Sequence, residues 1–398
     1  MNAYKKALIT LVIVVPAVWL LRFCWQQRPI LYENYTFNVN EAKRLKIFPE
    51  AQYAYGLHAW FRNDTTSAIS FFRQTVSHDV LFIDSWLKLA EAEALMGRFE
   101  KAKKILTLTE SLTAPIIRWK WPQALLAHEL GMEEIFIRNI NDLLAHQKKT
   151  QDAFQLLDIH YRGDTAATLQ VLRHENIVSF LKWLMRWDRT GDTYIVWQKI
   201  TEIGKSDRKI TLQYVHFLVN KKYINRAKSI WKHHNNNSAL TNAGFEKEIT
   251  KRAFDWRYSS NKNGQWEIKR VGSPVYEGSY ALRVFFAGYK NISFGNLYQI
   301  VPVEPLKSYR LTYRWRSEKI TTDQGPFVEI YGYDQKGLYR KGPMIRGTND
   351  WLAEAIEFIP PEGCQAIIVR LRRHPSHRFD CNIAGTLWLD DFRLEKVN

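Results

Sequence analysis

The hydrophobic pattern of this chain changes its period once, near residue 235, and this change constrains the fold more than any other feature. From about Asn40 to Asn235, apolar residues recur at three- and four-residue intervals and prolines are few, which predicts packed helices. After the polar stretch His233–Ser238, apolar and polar residues alternate, as in Tyr309–Arg316, which predicts strands with one buried face. We therefore expect a multidomain chain, α then β, in which the β part is an antiparallel sandwich.

Composition and periodicity together divide the chain into five predicted segments. In order, these are a transmembrane signal anchor, a tether, an α-solenoid, a linker and a β-sandwich, at residues 1–25, 26–40, 41–235, 236–240 and 241–398.

The first segment has the features of a membrane anchor. Ala7–Leu21 is almost wholly apolar and follows Lys5 and Lys6, and its extension to Trp25 gives a stretch as long as a bilayer core requires. The alternatives are a cleaved signal peptide, for which no Ala-x-Ala site follows, and a buried helix of a soluble protein. Since the lysines favour the cytoplasmic side, we expect a single-pass protein of a bacterial inner membrane with its bulk in the periplasm.

The helical region repeats itself at an interval of 34 residues. The aligned pairs are Gly56 with Ala90, Ala68 with Ala102, and Phe72 with Leu106. This period and its small-residue positions resemble the tetratricopeptide repeat. The resemblance implies five or six helical hairpins stacked as a solenoid, a scaffold that generally binds partner proteins.

The β region begins and ends with two recognisable segments, Asn-Ala-Gly-Phe-Glu at Asn242–Glu246 and Leu-Trp-Leu-Asp-Asp-Phe-Arg-Leu at Leu387–Leu394. They resemble the first and last strands of a carbohydrate-binding-module jelly roll of the galactose-binding-like superfamily, with Ala243 in place of a glycine. The resemblance implies glycan binding and a structural calcium ion, which prefers several oxygen ligands. The calcium ligands implied are Glu246, Ser279, Asp390 and Asp391. The alternative is that these carboxylates pair with nearby basic residues.

Strand alternation predicts where the glycan would bind. In these strands, the residues that alternate with the apolar ones include arginines and tyrosines. Arginines bind acidic groups bidentately, and tyrosines stack on sugar rings. If these strands share one sheet, a single outer face carries Arg314, Arg316, Glu329, Tyr331, Tyr333, Arg370 and Arg372. The alternative is a basic face that is merely solvated.

The formal net charge of +17 favours acidic partners. Because the charge is spread along the chain without a long basic run, we expect an acidic polysaccharide and no nucleic acid. Cys364 and Cys381 flank a predicted strand that would hold them roughly 25 Å apart if it is extended, so we expect no disulfide between them.

Signatures of catalysis are scarce, since the common nucleophile, phosphate-loop and zinc motifs are missing. Glu329 with Asp323 is the one carboxylate pair that suggests glycosidase chemistry, which needs a separation of about 5–9.5 Å. His374 and His377 share a loop, where metal binding competes with simple solvation.

These features predict a membrane-anchored, periplasm-facing scaffold and not an enzyme. It would bind glycan through the sandwich and proteins through the repeats, in surface polysaccharide assembly or export. The alternatives are a structural interaction protein whose sandwich has lost sugar binding, and a glycan-active enzyme with an unrecognised site.

Overall fold

The computed structural model describes residues 48–232, 240–259, 263–379 and 381–397. By internal contacts the chain divides into two compact units, Met1–Trp183 and Leu184–Asn398. The second unit therefore contains the last helices as well as the sandwich. The segment boundaries expected from composition stay predictions.

Twelve helices precede the strands in the described part of the chain. They are α1 Pro49–Phe61, α2 Thr65–His78, α3 Ile83–Leu95, α4 Phe99–Thr113, α5 Ile117–Glu129, α6 Glu133–Ala145, α7 Thr150–His160, α8 Thr165–Val171, α9 Ile177–Arg186, α10 Thr190–Glu202, α11 Arg208–Asn220 and α12 Ile224–Trp231. The first three hairpins begin 34 residues apart, at Pro49, Ile83 and Ile117. The interval agrees with the predicted period, while the repeat type itself stays a prediction.

The small residues of the first hairpin allow its two helices to pack closely. A Cβ atom added to Gly56 on α1 would lie 2.4 Å from Cε1 of Phe72 on α2, so only glycine fits this crossing. Ala68 and Phe72 are fully buried, and Leu89 of α3 belongs to the same buried cluster. The sequence repeat therefore records helix packing at these positions.

The sandwich consists of two five-stranded antiparallel sheets, which confirms the helical-then-β fold class. The strands are β1 Arg257–Tyr258, β2 Trp266–Val271, β3 Ala281–Ala287, β4 Phe294–Pro302, β5 Tyr309–Ile320, β6 Phe327–Gly332, β7 Tyr339–Lys341, β8 Gly347–Phe358, β9 Ala366–Arg373 and β10 Ala384–Lys396. Sheet I has the strand order β1-β4-β9-β6-β7, and sheet II has the order β2-β3-β10-β5-β8.

The core of the sandwich lies between the two sheets. Val328, Ile330 and Val369 of sheet I and Leu311 and Tyr313 of sheet II belong to one buried cluster. The intervening residues of each strand consequently face away from the core. Cys364 and Cys381, which lie on either side of β9, are both free, as expected.

No helix within the described ranges is long and apolar enough to cross a membrane. This finding contradicts the predicted localisation as a single-pass inner-membrane protein, and we withdraw that prediction. The segment Ala7–Leu21, on which it rested, lies outside the described residues.

Candidate functional site

The outward side of sheet I gathers tyrosines and charged residues from four strands. In register across the sheet, Tyr298 lies beside Arg370, Arg370 beside Glu329, and Glu329 beside Lys341. The next row places Tyr331 beside Tyr339 of the edge strand β7. We call this surface the tyrosine face. Its members are Tyr298, Phe327, Glu329, Tyr331, Tyr333, Tyr339, Lys341, Arg370 and Arg372.

A buried ion pair fixes the centre of the tyrosine face. Glu329 is only 2% exposed, and its Oε1 accepts a hydrogen bond of 2.6 Å from Nε of Arg370, whose Nη2 also contacts this carboxylate. The Arg370 guanidinium lies over the ring of Tyr331, 4.6 Å from the ring centre, and the Tyr339 hydroxyl donates to Glu329 Oε2 at 3.2 Å. Arg370 and two tyrosine rings are thus held in position before any ligand binds.

The ionisation of the aromatic groups also follows from burial. Burial, together with the nearby Glu329 carboxylate, raises the pKa of the Tyr339 phenol, and burial raises the pKa of Tyr331. Both phenols therefore remain neutral hydrogen-bonding groups at physiological pH. Burial and the charge of Arg372 lower the pKa of His374, so this imidazole is neutral as well.

Two further cations of the face lie beside Phe327. Nη1 of Arg372 donates to the Phe294 carbonyl at 3.3 Å, and Nζ of Lys341 lies 5.8 Å from the centre of the Phe327 ring. Because Glu329 offsets Arg370, the charges of Arg372 and Lys341 leave the face positive. Such a face attracts acidic ligands.

The predicted single arginine face is wrong in one respect, because its strands belong to different sheets. Arg314 and Arg316 lie on β5 in sheet II, whereas Arg370 and Arg372 lie on β9 in sheet I. Nη1 of Arg316 pairs with the exposed carboxylate of Asp350 at 3.1 Å. The guanidinium of Arg314 lies 4.6 Å from the Tyr276 ring centre. Sheet I therefore brings together five of the seven predicted residues.

The four predicted calcium ligands fall around one loop, residues 276–280. Oε1 of Glu246 accepts hydrogen bonds from the backbone N–H groups of Ser279 and Tyr280, at 3.0 and 3.2 Å. Oδ2 of Asp390 accepts from the N–H groups of Tyr276 and Glu277, at 2.9 and 3.2 Å.

The fit of calcium to these residues is partial. Asp391 pairs with Arg393 at 2.7 Å, and Ser279 turns its N–H group, not its carbonyl, toward Glu246, so neither is placed as a ligand. Glu246 and Asp390 have no basic partner within ion-pair distance in the described structure, and burial raises the pKa of Asp390. Glu246 also lines a cavity of about 260 Å³. Asp390 does not line this cavity, so the observation in favour of a cation is that these two carboxylates lack a basic partner among the described residues.

No group of three or more His, Cys, Asp or Glu side chains in the described ranges could hold a metal ion. The predicted calcium site of Glu246, Ser279, Asp390 and Asp391 therefore stays a prediction. His374 and His377 likewise belong to no such group in the described ranges, so metal binding by this loop is not supported.

Sequence reasoning missed four members of the tyrosine face: Tyr298, Phe327, Tyr339 and Lys341. Tyr298 lies in β4, whose consecutive residues Gln299, Ile300 and Val301 are all buried, so this strand shows no alternation to read. Tyr339 and Lys341 lie in β7, which has only three residues. The one available signal was the aromatic and basic composition of Tyr339–Lys341, the short strand β7 that follows β6.

No protein-family profile matches this chain, and no curated protein matches it. Among solved structures, the C-terminal sandwich is similar to a family 61 carbohydrate-binding module in complex with β-1,4-galactotriose, with 22% identity, a TM-score of 0.29, and coverage of 40% of this chain and 99% of that one. It is also similar to the C-terminal family 22 carbohydrate-binding module of a Clostridium thermocellum protein, with 14% identity, a TM-score of 0.28, and coverage of 39% and 90%.

A third similar structure is an enzyme. A cyclase from Fischerella sp. TAU, in complex with 4-(1H-indol-3-yl)butan-2-one, shares 18% identity at a TM-score of 0.29, with coverage of 40% of this chain and 96% of that one. All three likenesses are too distant to support an argument about function, so the proposal below rests on the geometry of the tyrosine face.

Proposed function

We propose that the C-terminal sandwich is a glycan-binding domain and that the tyrosine face is its binding site. The observation that carries this proposal is the Glu329–Arg370 pair, which holds a guanidinium against Tyr331 and beside Tyr339. Tyrosine rings contact the C–H faces of sugars, while their hydroxyls and the guanidinium bond to sugar hydroxyls. Since Tyr339 is half exposed, a ligand reaches the ring without rearrangement.

The preferred glycan is acidic. Arg372 and Lys341 add positive charge beside the central pair, and Glu329 is the one carboxylate of the face. Hydrogen bonds between ionised partners are about twice as strong as neutral ones. A uronate carboxylate or a sulfate ester near Arg372 therefore binds better than the corresponding neutral sugar.

The proposed role is binding without catalysis. Of the two carboxylates that could suggest a glycosidase, Glu329 is engaged by Arg370, and Asp323 accepts a hydrogen bond of 2.5 Å from the Ser376 hydroxyl. That hydrogen bond lowers the pKa of Asp323. A general acid for glycoside cleavage requires a raised pKa, so this pair does not fit the chemistry.

Calcium would have a structural role in this domain. Glu246 and Asp390 would hold the ion, and its charge would replace the missing basic partners of two carboxylates. The expected consequence is a more stable 276–280 loop, which lies on sheet II and not on the tyrosine face.

For the helical unit we propose protein contact. The groove formed by α2, α3 and α4 has a volume of about 440 Å³, with Val76, Leu89 and Ile105 on its apolar floor. Lys101 and Lys104 also line it, while Arg73 pairs with the buried Glu93. This chemistry suits an acidic segment with an apolar anchor. A photo-crosslinker at Ser77, which lines the groove, should trap a partner that Ser229 on α12 does not. The expected role in polysaccharide assembly stays a prediction.

The binding proposal is tested with the full chain by calorimetric titration with tri-galacturonate and its neutral methyl ester. We expect tri-galacturonate to bind more tightly and to lose affinity as salt rises, because exposed charges are screened over about 8 Å at physiological ionic strength. Arg372→Ala should remove most of this preference, whereas Tyr331→Ala should weaken both ligands. Arg310→Ala is the matched control, since Arg310 is on sheet II and pairs with Glu357. Failure of the full chain to bind either ligand at low salt would refute the proposal.

A further inference from the structure

Part of the outward side of sheet I is covered by something other than the sandwich. Ile300 and Ile368 pair in register and have the outward parity, because their neighbours Val301 and Val369 belong to the core. Even so, Ile300 is only 1% exposed and Ile368 only 9%. Outward aliphatic residues buried to this degree require a covering element.

The covering element is the last helical hairpin. Helix α12 packs against β4, the strand that contains Ile300. The C-terminal part of α11 makes three hydrogen bonds to the sandwich. The Tyr333 hydroxyl donates to the Val219 carbonyl at 3.0 Å, Ala253 N–H donates to His216 Nδ1 at 3.0 Å, and Arg257 Nη1 donates to Asn220 Oδ1 at 3.0 Å. The hairpin therefore bounds the tyrosine face on its Tyr333 side.

The turn between these helices adds a cation to that boundary. Lys222 is exposed, and its Nζ lies 5.8 Å from the centre of the Tyr333 ring. Within the ranges that the structure describes, Lys222 has no ion pair. Its neighbour Lys221 is also exposed, but it pairs with Asp188. Two adjacent lysines thus differ in what they can offer a ligand.

We propose that the glycan site is composite, with the sandwich as its floor and the α11–α12 hairpin as one wall, and that Lys222 is a specificity-determining residue for an anionic sugar substituent. This inference rests on the proposed function of the tyrosine face. Arg372 lies beside Phe327 and Lys222 lies over Tyr333, and Tyr331 lies between Phe327 and Tyr333 along the chain. An acidic oligosaccharide seated on Tyr331 therefore meets a cation on either side.

The test compares Lys222→Ala with its matched control Lys221→Ala in the full chain, by titration with tri-galacturonate and with its methyl ester. An exposed charge contact contributes little by itself, and a charge-assisted hydrogen bond contributes more. We expect Lys222→Ala to weaken tri-galacturonate binding about fivefold and to leave the methyl ester unchanged. Lys221→Ala should change neither ligand by more than about twofold. Lys222→Gln, which keeps most of the side-chain length, should behave like the alanine variant.

Three outcomes test the role of Lys222 and the glycan site on the tyrosine face. Selective loss of the acidic ligand in both Lys222 variants supports the composite site. Equal effects of Lys222→Ala and Lys221→Ala, or equal losses for the acidic and neutral ligands, overturn the role of Lys222 while leaving the tyrosine face in place. If the unsubstituted chain binds neither ligand, both proposals fall. Near-ultraviolet circular dichroism of each variant shows whether the packing of the second unit has been preserved.

Discussion

The contact between His216 and the sandwich makes a prediction that depends on pH. Burial, reinforced by the charges of Arg257 and Arg252, lowers the pKa of this imidazole from 6.5 to about 4. In the folded chain the neutral ring accepts a hydrogen bond from Ala253 N–H at Nδ1, a role that protonation of this nitrogen abolishes. The folded state therefore binds a proton at His216 less readily than the unfolded state does.

The sign and size of the effect follow from this difference. Because the folded pKa lies below the unfolded one, the contribution to stability is fully present above about pH 6.5 and is lost as the pH falls toward 4. Between pH 7 and pH 5 the shift corresponds to a ceiling of about 2 kcal/mol. Since the ring is only half-buried, solvent reduces this, and we expect about 1 kcal/mol.

The measurement is hydrogen exchange of the backbone around Ala253, corrected for the intrinsic exchange rate at each pH. His216→Asn is the control variant, because it offers an acceptor oxygen that does not titrate in this range. Every other titrating group is common to both proteins, so the difference between them isolates His216. If both proteins lose the same protection between pH 7 and pH 5, the reasoning about this contact is wrong.

Three further predictions concern stability. Calcium at a hundredfold excess over its Kd should stabilise the second unit by about 2.7 kcal/mol, and an unchanged melting temperature with chelator would reject the ion. Gly56→Ala should destabilise the first unit by about 1–3 kcal/mol in thermal unfolding because its Cβ would collide with Phe72, whereas Gly191→Ala, with no atom within 4 Å, should cost nothing. Arg373→Lys should cost about 3 kcal/mol in denaturant unfolding, since this fully buried guanidinium donates to the carbonyls of Gln324 and Cys381, and lysine cannot reproduce its fork.

The alternation of apolar and polar residues predicted correctly which face of each strand is buried. It could not predict which strands pair with one another. Val328 faces the core and Glu329 faces outward, as the sequence indicates. Arg314 has the same local pattern as Arg370, but its strand pairs in the other sheet. A strand's own residues record which side is buried, whereas the choice of sheet depends on contacts distant in sequence.

The helical region shows the same limit. The 34-residue interval was readable where a glycine or alanine must allow close packing, as at Gly56. The packing of α11 on the sandwich left no comparable trace, since two of its three hydrogen bonds join a side chain to a backbone group: Val219 offers its carbonyl and Ala253 its N–H group. The sequence around a backbone group does not indicate which side chain it will bond to. The predicted linker therefore indicated a domain boundary, although α11 and α12 pack on the sandwich.

At Lys222, the residue proposed to determine specificity lowers the stability of the fold. Lys222 has φ of 64°, a left-handed conformation that costs a residue with a side chain roughly 1 kcal/mol and that glycine adopts freely. The corresponding hairpin turns at Gly97 and Gly131 have glycine in this conformation. Selection for thermal stability alone would therefore favour glycine at position 222. Under the proposed role of Lys222, such a chain would be more stable but would discriminate less well between acidic and neutral sugars.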